Sequence, residues 1–307
     1  MRIQRVLIVN RKSLYQIYVQ EHEEKAVKRA LRRRDPAALA LKESHEANAQ
    51  ALAVVERTLR RRGIEVVTRW RAHFRSTRSF DLVISLGGDG TLLDTSHRIV
   101  DDTPLVGINS DPRKSVGALC CGEADRLPWV LDGLETGELR PVSINRIRAR
   151  VDGQPVLGPT LNDVLFAHEC PAGLTRFDRA TVAARQALDV RPERNPRLFR
   201  RYRGSGLWVS TAIGSTAAIH SAGGRRMPRR SRRLQYLVRE PYVAPGAAPP
   251  PDLRGLLAED RALVLFNRLR RGMLWADGVH RSLGVSYGQQ IVLDSHPVPL
   301  RLVLCSE

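Results

Sequence analysis

The chain's densest grouping of chemistry-bearing residues is Gly87-Gly88-Asp89-Gly90-Thr91, set between DLVISL (81–86) and LLDTSHRIV. Glycines at these positions let the backbone turn sharply and bring its amides close to a phosphate. A helix starting there adds unpaired N–H groups and a positive dipole end. An aspartate in that turn can accept a proton from a hydroxyl nucleophile or orient nucleotide-bound Mg²⁺. No Gly-Lys-Ser/Thr follows, so this is not a Walker A loop. The second grouping is GSGLWVSTAIGSTAAIHSAGG (204–224). There Gly214, Ser215 and Thr216 offer amides and hydroxyls, while Ala217, Ala218 and Ser221 leave room for a flat ring. The third is Asn162-Asp163 in TLNDVLFAH, donor and acceptor groups that on a strand could read an adenine or a ribose. Each has a blander alternative: an Asp-Gly turn, a tight packing joint and an ordinary turn pair. Arg203 lies close enough to the second grouping to meet a phosphate, or it is a solvated strand edge. His97 reads as structural or solvated, His168 and His220 lie within motif segments and could face the site, and Asp277-Gly278 reads as a hairpin turn.

The flanking sequence shows what must hold these groups. Residues 5–9, IEVV (64–67), DLVISL (81–86) and PLVGIN (104–109) read as strands. Residues 43–62 read as a helix, with Ala51, Val55 and Leu59 on one face and Gly63 as its stop. Alternating strands and helices imply an α/β N-terminal domain with an open, mostly parallel sheet, over 1–140. After that the rhythm changes. INRIRARV, Asp152-Gly153 and TLNDVLFAH read as strand, turn, strand, and GLWVST, ALVLFN, GMLWA, QIVLD and LRLVL follow. These imply a β-rich, sandwich-like C-terminal domain over 141–289, with one helix beginning near Ser215 and a Pro-rich surface loop at 243–252. The closing strands of 290–307 are expected to pack back on the first domain.

A chain of 307 residues is long enough for two domains, and 42% apolar with 27% charged residues excludes disorder and collagen. The net charge of +18 comes from 45 Arg and only 5 Lys. Such a surface attracts polyanions, unless the arginine excess is a compositional bias. Six Arg fall between Arg225 and Arg233 and six more between Arg191 and Arg203. Aromatics at 5% and the lack of a helix-turn-helix, RRM or zinc pattern argue against a specific nucleic-acid binder. Cys120, Cys121, Cys170 and Cys305 form no C-x-x-C pair, so reduced thiols and no structural metal are expected. With no signal-peptide pattern and no run of ~20 apolar residues, a cytoplasmic protein with no membrane partner is expected.

The three groupings in this order resemble the NAD kinase family, from ISLGGDGTLL through VGINSDP, LNDVLFAH and STAIGSTAAIHSAGG to WADGVH. GGDGT alone is shared with lipid kinases of the diacylglycerol type; the Ser/Gly-rich segment separates them. GINSDP, NDVLFAHECPAGLTRF and LQYLVREP are similar to the plant NADH kinase branch. The resemblance implies a kinase that phosphorylates the 2′-hydroxyl of the adenosine ribose of NAD⁺ or NADH, with ATP-Mg²⁺ and in some members polyphosphate as donor. It implies that Asp89 is the base and that Gly87, Gly88, Gly90 and Thr91 hold the donor's phosphates. Asn162, Asp163, Thr216, Ala217 and Ser221 would contact the dinucleotide, between an α/β and a β-sandwich-like domain, in a homodimer or homotetramer. Many members carry Asp where this chain has Ser205 and Tyr where it has Ala218. Loss of that carboxylate removes an attraction for the positive nicotinamide of NAD⁺, about 1 kcal/mol at an effective dielectric near 20, so NADH should serve at least comparably.

Overall fold

In the computed structural model of the chain, residues 2–71, 73–74 and 76–305 are described. They form two compact units, Met1–Val142 with Leu300–Glu307, and Ser143–Pro299.

The first unit is built on strands β1 (Arg5–Asn10), β2 (Glu65–Trp70), β3 (Leu82–Leu86), β4 (Leu105–Asn109) and β5 (Cys120–Glu123). β1, β3 and β4 are mostly apolar and almost wholly buried, as strands covered on both faces must be. They pair in parallel in the order β2-β1-β3-β4, and β5 also runs parallel to β4. The helices are α1 (Lys25–Arg32), α2 (Pro36–Arg61), α3 (Asp89–Ser96) and α4 (Leu127–Thr136). α2 begins seven residues before the 43–62 pattern. Asp35 caps it, its Oδ1 accepting from the Ala37 and Ala38 amides at 2.9 and 3.1 Å, and Pro36 follows at the first helical position. Residues 36–42, PAALALK, are apolar on all sides but for Lys42, so no helical stripe marks those turns for a periodicity argument. Val55 and Leu59 pack against Ile8, Ile84, Val130 and Leu131 in the core of this unit.

Strand β6 (Val142–Ile144) carries the chain into the second unit. Its strands are β7 (Ile147–Val151), β8 (Gln154–Thr160), β9 (Asp163–His168), β10 (Thr175–Ala183), β11 (Arg200–Gly204), β12 (Gly206–Ser210), β13 (Leu234–Arg239), β14 (Arg254–Leu257), β15 (Arg261–Asn267), β16 (Gly272–Ala276), β17 (Ser282–Val285) and β18 (Gln290–Ser295). They form two antiparallel sheets, β11-β10-β15-β18-β7-β8 and β14-β13-β12-β9-β16-β17. Ile147, Phe177, Leu265 and Leu293 of one sheet meet Phe166, Leu207, Tyr236 and Leu274 of the other in a single core, the packing of a sandwich. The helix expected near Ser215 is a short turn at Gly214–Thr216 followed by α5 (Ala218–Ser221).

Two expectations change. Gln290–Ser295 does not return to the first unit: it pairs with β15 and β7 inside the sandwich. Only β19 (Leu300–Leu302) returns, beside β4. The Asp152-Gly153 hairpin joins β7 to β8, so Asn162 lies in the bend between β8 and β9 rather than on a strand.

The cysteines also depart from four reduced thiols, because Cys121 is bonded to Cys305. In β5 successive side chains alternate. Cys121 faces the core, 3% exposed, where the returning C-terminal segment meets it, while Cys120 faces the Gly-rich turn. A separation of 184 residues left no spacing to recognise. Among the described residues no helix is long and apolar enough to cross a membrane.

Candidate active site

β3 ends at Leu86, and Gly87 turns with φ +154°. A side chain at Gly87 would collide with Thr91 Oγ1 at 2.3 Å, and one at Gly88 with Ser115 Oγ at 2.0 Å. Gly88 therefore lets the segment after β4 close down on the turn, and Gly87 lets Thr91 of α3 sit beneath it. Gly88 is the N-cap of α3 and Asp89 its first residue, so the helix starts three residues before the LLDTSHRIV run. Asp89 is held by that same segment. Its Oδ2 accepts from the Ala118 amide at 3.0 Å and its Oδ1 from the Leu119 amide at 2.9 Å. Gly90 is exposed, with open space where a side chain would stand. Thr91 differs from a phosphate-holding residue as it stands. It is 2% exposed, and its hydroxyl lies under Gly87 with no hydrogen-bond partner. Beside the turn, burial and the Asp89 charge push the Cys120 thiol up to about 12, so it stays protonated.

The other candidates belong to the second unit. Leu161 to Asp163 is fixed by one carboxylate. Asp277 Oδ2 accepts from the Leu161 amide at 2.8 Å, and Oδ1 accepts from Asn162 and Asp163 at 2.7 and 3.0 Å. The Asp277 amide in turn donates to the Asp163 carbonyl at 3.0 Å. Asp277 does this from a left-handed backbone, φ +48°. The Ser/Gly-rich segment meets the same bend. A side chain at Gly214 would strike the Asn162 carbonyl at 2.2 Å, and the Thr211 amide donates to that carbonyl at 2.9 Å. The second and third sequence groupings are thus neighbours in space. Thr216 and Ser221 are exposed and Ala217 is half-buried, while Ser215 is buried, its hydroxyl donating to the Ala212 carbonyl at 2.7 Å.

Asp163 is 7% exposed, and its carboxyl accepts no hydrogen bond from any described residue. Burial, and behind it the Asp277 charge, pushes it up to about 7. It opens on a cavity of 330 Å³ lined by Ser205, His168, Trp208, Trp275 and Val279 among others. The Arg239 guanidinium lies 5.9 Å from the Trp208 ring centre. Arg203 is not part of that lining; on β11 it faces a separate depression with Tyr202 and Tyr242. His168 Nδ1 accepts from the Cys170 amide, His220 is exposed on α5, and His97 is buried beyond the end of α3. Sequence reasoning missed Trp208 and Trp275, and it singled out Asp277 without seeing what its carboxylate holds. Asp277-Gly278 was visible as a turn, but nothing local showed that its carboxylate reaches back more than a hundred residues.

A glycine turn with a leading aspartate at the carboxyl edge of a parallel sheet, in a chain that adds a β-sandwich with an Asn-Asp bend, defines a kinase of the GGDGT type. The model of the ATP-NAD kinase N-terminal domain matches residues 1–117. The chain is 34% identical over 242 residues to a probable NADH kinase of Oryza sativa subsp. japonica, spanning 73% of this chain and 71% of that protein. It is 31% identical over 242 residues to the NADH kinase of Arabidopsis thaliana, spanning 74% of each. Its fold is like that of an NAD kinase from Archaeoglobus fulgidus solved in complex with ATP, with a TM-score of 0.63 at 19% identity over 99% of this chain and 94% of that one. The chain belongs to the NAD kinase family.

Proposed function

We propose that the protein transfers the γ-phosphate of ATP to the 2′-hydroxyl of the adenosine ribose of NADH, and of NAD⁺ no better than NADH. The observation that carries the phosphoryl-transfer reading is Asp89, a carboxylate fixed by two backbone amides at the head of the glycine turn. Phosphoryl transfer needs in-line positioning and charge neutralisation more than covalent help. The ribose oxygen attacks the γ-phosphorus, Asp89 takes the hydroxyl proton, and ADP leaves as the bond to its β-phosphate oxygen breaks. Amides of Gly88 to Gly90 stabilise the transferring group. Mg²⁺, when bound to the triphosphate, neutralises its charge. Among the described residues no three His, Cys, Asp or Glu side chains converge on a metal position. Phosphate and water oxygens would hold Mg²⁺ on the triphosphate, which leaves Asp89 to take the proton.

For the dinucleotide we assign Asn162, Asp163, Thr216, Ala217 and Ser221. Support comes from the joint between the Asn162 bend and Gly214, and from the cavity that Asp163 shares with Ser205 and two tryptophans. Tryptophan faces suit a planar ring, and Ser205 in place of a carboxylate removes one attraction for the charge of NAD⁺. The test is an assay crossing NAD⁺ and NADH with ATP and polyphosphate. NADP(H) formation with kcat/KM for NADH equal to or above that for NAD⁺ is expected. A tenfold advantage of NAD⁺ overturns the acceptor assignment, and no 2′-phosphorylation with either acceptor overturns the function.

A further inference from the structure

β1, β2 and β3 run parallel, with Asn10 level with Trp70 on one side and Leu86 on the other. The next residues along the carboxyl edge are therefore Arg71, Arg11 and Gly87, in that order across the sheet. The chain places β2 on one side of β1 and β3 on the other, so the strand order reverses at β1. The crevice at such a reversal is where open α/β sheets take their ligands. The edge is firmly set. The Arg71 amide donates to the Asn10 carbonyl at 2.8 Å, the Arg11 amide to Asn10 Oδ1 at 2.7 Å, and the Gly87 amide to the Ile108 carbonyl at 2.9 Å.

The charges on this edge are not balanced within it. Arg11 is exposed, and its guanidinium makes no hydrogen bond or ion pair with any described residue. Its pKa is drawn below the ordinary arginine value, first by crowding from surrounding protein and then by Arg71, with Asp111 opposing. Asp111 is itself engaged by Arg113 Nε at 3.2 Å. Among the described residues Arg71 has a loose contact with Asp94 on α3, Nε to Oδ2 at 3.7 Å. Two guanidiniums that repel each other, Arg11 with no partner among the described residues, border a turn whose Gly88, Asp89 and Gly90 amides donate to no described residue. Planar guanidiniums bind phosphate oxygens in pairs.

We propose that Arg11 and Arg71 are a phosphate clamp for the terminal phosphates of the phosphoryl donor. The assignment rests on reading the glycine turn as the donor's site. An arginine that merely caps a strand end has no reason to distinguish the two substrates. The test uses the full-length protein carrying Arg11→Gln, Arg11→Lys and Arg71→Gln, with steady-state kinetics and calorimetric titration of inorganic tripolyphosphate. Arg11→Gln should raise KM for ATP about tenfold or more, and weaken tripolyphosphate by a similar factor, with KM for NADH within twofold. Arg71→Gln should follow the same pattern more weakly, since Asp94 already shares its charge. Arg11→Lys keeps the charge but not the fork, and should fall between. An unchanged KM for ATP, or equal rises for both substrates, overturns the clamp. If the wild-type protein makes no NADP(H) yet binds tripolyphosphate through Arg11, the proposed function fails and the clamp stands. If it is an active NADH kinase whose tripolyphosphate affinity ignores Arg11, the clamp alone fails.

Discussion

Each unit builds its candidate site with the same device, one aspartate gathering backbone amides, but uses it to different ends. In the α/β unit Asp89 accepts two amides from the segment after β4 and is itself the group assigned to chemistry. In the sandwich Asp277 accepts three amides from the bend before β9, and the groups assigned to the ligand are those whose backbone it holds. A carboxylate that accepts amides is a strong, directional organiser, since charge-assisted hydrogen bonds are about twice as strong as neutral ones. Where the organiser is also the reactive group, changing it damages structure and chemistry together. Where it stands one step behind, the two effects can be separated.

The largest expected effect tests the first case. Asp89→Asn should lower kcat by about 10²–10⁴ by removing the proton acceptor. The amide can accept at one atom only, so its NH₂ would face the Ala118 or Leu119 N–H and leave it unpaired. A stability loss of about 1–3 kcal/mol should accompany the fall in rate, read as a shift in a denaturant melt. Near-wild-type kcat would remove Asp89 from the chemistry. A large stability loss with undiminished kcat would make it an organiser like Asp277.

Asp277→Asn tests the second case and should be milder on the rate. Asparagine tolerates the left-handed backbone that residue 277 adopts, so the turn itself is spared. One or more of the Leu161, Asn162 and Asp163 amides would lose its acceptor. KM for the dinucleotide should rise about tenfold, with KM for ATP unchanged. Because the Asp277 charge also raises the Asp163 pKa, the variant should move the pH profile of dinucleotide KM to lower pH. A uniform loss of activity with an unmoved profile would make Asp277 a structural turn and nothing more.

What could be read in the sequence follows from the range over which each feature is encoded. The parallel strands were legible because burial on both faces leaves nearly continuous apolar runs, as in LVISL and LVGIN. GGDGT was legible because the Thr91 and Ser115 side chains stand where side chains of Gly87 and Gly88 would be, and Gly87 has a positive φ. The partners of these groups were not, since an amide has no signature in sequence. Nothing marks Ala118, Leu119 or Leu161 as the donor to a distant carboxylate. The Cys121–Cys305 bond and the place of Gln290–Ser295 were lost for the same reason, both being set by pairings across the fold. Arg11 and Arg71 were hidden in another way, as two arginines among 45 whose meaning lies in strand register alone.

The smallest expected effect concerns Asp163, where the device in the sandwich carries a cost. Burial beside Asp277 pushes its carboxyl to about 7 in the folded chain, against 3.8 for an ordinary aspartate. The folded state therefore holds a proton that the unfolded chain has released over the window between those values. Stability from this group is complete below about pH 4 and is lost as pH rises through 7, at no more than about 1.4 kcal/mol per unit. Other carboxylates titrate in the same range, so the comparison is between the wild-type protein and Asp163→Asn in parallel denaturant melts from pH 5 to 8. Asparagine keeps the shape of a protonated aspartate and cannot ionise, so the wild-type protein should lose ground to the variant as pH rises and stop doing so above about 8. Asp277→Asn in the wild-type background should shrink that difference, because it removes the charge that opposes ionisation. A gap between wild type and Asp163→Asn that is flat across the range would mean that Asp163 is ionised throughout. The bend would then present the dinucleotide with a carboxylate that can only accept, rather than a carboxyl that can also donate.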